Sequence, residues 1–66
     1  MIVSDLKPGA RFRVLNNKIP SSIIYLKLAP EVFEATGYLA VNTTSWCLAG
    51  LNPNYEVEIV NLHTLN

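Results

Sequence analysis

The chain has 66 residues, half of them hydrophobic, and five basic residues balance five acidic ones, so its formal charge is zero. That length holds one small domain over residues 1–66, and a domain of this size buries only about 60% of the surface its unfolded chain exposes. Zero net charge disfavours a phosphate-tracking protein, which carries a basic excess; the lone Cys47 excludes an intrachain disulfide, and Cys47 with His63 is too small a donor set for a structural zinc.

The predicted elements begin at "KPG", residues 7–9. Pro8 presets its φ and Gly9 tolerates a positive one, which makes a turn. A first strand follows over residues 10–15. Residues two apart share a strand face, so Arg11 and Arg13 point one way, Phe12 and Val14 the other. "NNKIPSS", residues 16–22, is a polar loop, because Pro20 cannot donate to a central ladder. "IIYLKL", residues 23–28, is rich in strand formers. Its apolar face is read as Ile24, Leu26 and Leu28, which sends Ile23, Tyr25 and Lys27 outward.

Over residues 30–35 the pattern changes to one helical turn or an ordered loop. Pro30 suits the first helical position, two glutamates sit near its positive end, and Gly37 closes it. The third strand spans residues 38–42, and "TTS" turns into a fourth that starts with Trp46, Cys47 and Leu48. A second turn around Pro53 leads to "YEVEIVNL", residues 55–62. There Val57 and Ile59 alternate with Glu56 and Glu58.

Five short strands joined by turn chemistry predict an all-β fold, a small five-stranded SH3-like barrel. By strand parity its core is Phe12, Val14, Ile24, Leu26, Leu28, Leu39, Val41, Trp46, Leu48, Val57 and Ile59. Trp46 joins Phe12 as a large filler of the barrel, and Cys47 is read as a small buried hydrophobe. In such a barrel the first and last strands are antiparallel neighbours. Arg11 and Arg13 then face Glu56 and Glu58, and each opposite-charge pair contributes roughly 0.2–1 kcal/mol. Acids of a partner protein and a phosphate are the other destinations open to these arginines.

The order "LKPGARFR", "YLKL", "LAVN" and "LNPNYEVEIV" resembles a set of short, mostly uncharacterised phage and prophage proteins. The resemblance covers nearly the whole chain. Thr43, Thr44 and Ser45 stand where that pattern has Thr-Gly, and "APEVFEAT" is an added segment. What the resemblance implies is a small accessory protein of a phage or mobile element, with no catalytic residue.

The catalytic inventory is nearly empty. His63 sits in the tail without the held position a general base needs, Glu56 and Glu58 read as a solvated strand face, and the scattered glycines form no phosphate loop. The expectation is therefore a non-enzymatic binding protein without cofactor or metal. Its surplus apolar content points to a homo-oligomer, because a small scaffold without disulfide or metal gains support from a partner subunit. A host protein is a further expected partner.

The candidate binding surface is Tyr25, Lys27, Tyr38, Arg11 and Arg13, with the tyrosines outward on neighbouring strands. Those residues suit a subunit interface, or a small anionic ligand such as a nucleotide, or nucleic acid. "MIVSDLKPGA" is not a signal peptide and no apolar run spans a bilayer, so the cytoplasm is the expected location.

Overall fold

A computed structural model describes residues 1–60 of the chain. The elements in order are a 3-10 turn Val3–Asp5, β1 Arg11–Asn16, β2 Ile19–Pro20, β3 Tyr25–Lys27, α1 Pro30–Thr36, β4 Ala40–Asn42, β5 Cys47–Ala49 and β6 Val57–Ile59. All pairings are antiparallel, in the order β2-β1-β3-β4-β5, with β6 on β1. The mainly β expectation holds. Among the described residues the strands number six, not five, and the sheet stays open. Among the described residues no helix is long and apolar enough to cross a membrane.

The added strand comes from a turn. Asn16 pairs with Ile19, and the two residues between them, Asn17 and Lys18, have φ of 52° and 67°. Positive φ at both central positions is the hairpin geometry that matches strand twist. Pro20 is admitted because β2 is a terminal strand of the order, where a missing N–H is tolerated. β2 and β3 then follow each other along one edge of β1, and β6 takes the other.

The "KPG" turn forms as its residues require. Ala10 N–H donates to Lys7 C=O at 3.1 Å, and Gly9 has φ 89°, the left-handed value needed after a turn proline. α1 begins at Pro30 and ends at Gly37, whose φ is 79° and whose N–H donates to Phe33 C=O. A left-handed glycine there satisfies a carbonyl that the helix leaves open.

The core is small. Val3, Leu6, Phe12, Ala40 and Val57 are buried, with Ala10, Val14, Tyr25, Leu39 and Leu51 packed around them. Phe12, Val14, Leu39 and Val57 therefore pack as expected. The face expected for β3 is reversed. Tyr25 lies opposite Phe12 in the register and stacks on it, ring centroids 5.7 Å apart at 28°. Leu26 lies opposite Arg11 on one side and Val41 on the other, so it shares the outward face. A one-residue change of face moves every side chain of a strand, and "IIYLKL" is apolar on both.

The same register carries Val41 and Leu48 outward; Ile24 and Leu28 are half-buried. Trp46 is 66% exposed and Ile59 54% exposed, so neither fills the core. Trp46 closes the β4–β5 loop at φ 57°, and its N–H donates to Asn42 C=O at 2.7 Å. That left-handed residue breaks the parity on which its burial was expected. Cys47 is likewise exposed rather than buried.

Candidate functional site

Each face of the sheet offers one candidate surface. On the outward face a row runs across the strands. Arg11 faces Leu26, Leu26 faces Val41 and Val41 faces Leu48. Val60 extends the row beyond Arg11, to whose C=O its N–H donates at 2.8 Å. The free face of an antiparallel sheet is ordinarily polar, and here three adjacent strands carry aliphatic side chains on it, Leu26 and Val41 half-buried and Leu48 exposed. Leu48 is 47% exposed at the end of the row.

Arg13 stands one step along β1, opposite Glu58. The pairing expected between the first and last strands is thus realised at this position in register. Glu56 is not opposite Arg11. Its C=O accepts from Leu15 N–H at 2.8 Å, and the residue bridges to Ile2. Arg13 is half-buried, and its Nε is buried without a hydrogen-bond partner among the described residues.

At the end of the inner face, an open cleft of about 380 Å³ is lined by Val14, Leu15, Asn16, Ser21, Tyr25, Leu51 and Tyr55. Tyr25 is held there by its stack on Phe12. Tyr55 and Leu51 come from the β5–β6 connection. The volume suits a small ligand. Among the described residues no charged side chain lines the cleft.

Lys27 is committed to the fold. It is 9% exposed, and its Nζ donates to Leu6 C=O at 2.8 Å. The aliphatic stem packs inside, and the ammonium reaches a carbonyl that is itself buried. This contact fastens the N-terminal 3-10 turn to the sheet.

The five residues singled out in the sequence therefore do not converge. Arg11 and Arg13 lie on the outward face, and Tyr25 and Lys27 on the inner one. Tyr38 is 39% exposed and packs its ring beside Gly50. Tyr25 and Tyr38 are not the outward pair that was expected, because β3 turns its other face out. Sequence reasoning missed Leu51 at the cleft and left Tyr55 out of the candidate surface. A Tyr after a Pro-containing turn was the available signal, but only the return of that loop over β1 gives it meaning. Among the described residues no three His, Cys, Asp or Glu side chains gather as a metal site would need. His63 lies outside the described residues.

Comparison with protein-family models, with characterised proteins and with solved structures finds no match for the chain.

Proposed function

We propose that the protein is a non-enzymatic binding module that works through protein–protein contacts, beginning with copies of itself. The observation that carries this is the outward aliphatic row of Leu26, Val41 and Leu48, set beside a core of five buried apolar side chains among the described residues. Apolar area left on a sheet face is stabilised by removing it from water, at about 25 cal/mol per Å². The strand order, a meander whose last strand returns to β1, suits an SH3-like barrel left open between β5 and β6. With the resemblance to short phage proteins, the reading becomes a phage-type accessory protein acting in a host cytoplasm on a host protein.

Native mass spectrometry of the freshly purified protein tests the reading. A multimer, or a co-purified protein, is the expected result. A bare monomer at every loading would refute self-association.

The tyrosine-walled cleft favours a second reading, a small-molecule binder. Its uncharged lining suits a neutral ligand with an aromatic or aliphatic body. An anionic ligand such as a nucleotide, or nucleic acid, would find Arg11 and Arg13 on the other face and Lys27 bonded to Leu6. Binding that weakens steeply with salt would mark a phosphate ligand.

A further inference from the structure

Three strands end the sheet among the described residues, β2, β5 and β6, and they are treated differently. β2 is two residues long and carries Pro20, a short edge guarded by proline. Beyond β6 the N-terminal segment covers the edge. Val57 N–H donates to Met1 C=O at 2.9 Å, and Val3 N–H to Tyr55 C=O at 3.1 Å. Beyond β5 nothing pairs among the described residues.

Natural edge strands are guarded by lysine, proline, bulges or an inward charge. The stretch "WCLAG" has none of these charges and no proline. All ten charged residues lie outside residues 35–55, so the β4–β5 half of the sheet is electrically blank. Its exposed surface includes Trp46 and Leu48, 66% and 47% exposed.

Backbone alternation shows which groups the edge offers. On the β3 side, Thr43 N–H donates to Ile24 C=O at 3.0 Å and Leu28 N–H to Leu39 C=O at 2.9 Å. Odd-numbered positions of this strand therefore bond toward β3, and Ala40 and Asn42 toward β5. These two face Ala49 and Cys47. Leu48, between them, turns its N–H and C=O away from the sheet.

We infer that β5 pairs antiparallel with β5 of a second copy across a two-fold axis at Leu48. The inference rests on the self-association proposed above and assigns its location. In this arrangement Leu48 N–H donates to Leu48 C=O of the second copy, and the reverse. A two-fold contact brings the same patch of both chains together. An uncharged edge meets its own copy without like-charge repulsion, whereas a charged partner would find no counter-charge there. The outward aliphatic row continues from one subunit into the next through the two Leu48 side chains.

The register makes the test specific. Leu48→Pro removes the outward N–H and no bond to β4, so it should leave the far-UV circular dichroism unchanged and convert the dimer to monomer in sedimentation equilibrium. Leu48→Lys, which leaves the backbone intact, should do the same by charge repulsion. In a Cys47→Ala background, Leu48→Cys places two cysteines opposite each other, with Cα atoms about 5.5 Å apart. That lies within disulfide range, so mild oxidation should give a covalent dimer. The native Cys47 pair sits two residues out of step and beyond about 7 Å, so the parent protein should not cross-link. A dimer that survives both Leu48→Pro and Leu48→Lys would overturn the edge assignment and leave self-association standing. A parent protein that is monomeric throughout would overturn both.

Discussion

Lys18 and Arg13 show how one residue's surroundings decide its worth. Lys18 occupies a left-handed position at φ 67°, where a Cβ is crowded and the strain costs roughly 1–2 kcal/mol. Lys18→Gly relieves it, and Asn-Gly is the favoured pair for this turn. Urea unfolding should show a gain of about 1 kcal/mol with an unchanged m-value. Arg13 faces Glu58 while Glu56 faces Leu15. Arg13→Glu sets two acids opposite each other and should cost about 0.2–1 kcal/mol. Adding Glu58→Lys should recover part of that loss, and adding Glu56→Lys should recover less. Equal recovery by the two lysines, read from urea midpoints, would contradict the register. On the opposite face from Arg13, Lys27 shows that a basic residue in an alternating strand need not point to water when a carbonyl waits at the end of its reach.

At the scale of elements, the N-terminal segment, on which composition places no demand, proves structural. Val3 and Leu6 enter the core, Asp5 accepts from Ile2 N–H at 3.2 Å, and Met1 and Val3 pair with the β6 edge. Lys27 joins this segment to β3 through the Leu6 carbonyl. Lys27→Met keeps the stem and removes the donor, leaving that carbonyl short of a partner, a loss of about 1–3 kcal/mol. Hydrogen exchange should then quicken first at Val3 and Val57 amides, whose bonds join the segment to β6. Uniform quickening across the chain would instead mean that the contact serves only global stability. α1 is the opposite case. Its start and stop were legible as Pro30 and Gly37, because caps act through their own backbone geometry and need no tertiary partner.

For the whole molecule, the balance between apolar content and core size governs behaviour. Few side chains are fully buried, and large apolar residues remain exposed on several elements: Met1, Ile19, Phe33, Trp46, Leu48 and Ile59. A protein of this kind that associates gains stability by mass action. Its melting temperature should rise with protein concentration in the parent chain and stay flat in Leu48→Pro. A flat profile for the parent would remove self-association as a source of its stability.

The sequence alone determined the mainly β character, the turn at Pro8 and Gly9, the Pro30 and Gly37 limits of the segment that becomes α1, and the core membership of Phe12, Val14 and Val57. These follow from local rules: proline and glycine dihedrals, and alternation in strands with one polar face. It did not determine which face of "IIYLKL" turns inward, because both faces are apolar and parity has no sign of its own. Nor did it place Trp46, whose left-handed loop position resets the alternation. Only pairing decides such cases. Phe12 against Tyr25 and Arg11 against Leu26 orient β3, and β3 then orients β4 and β5 in turn. The candidate cleft and the unguarded β5 edge belong to the same class, since each is made by strands and loops distant in the chain that no local pattern can bring together.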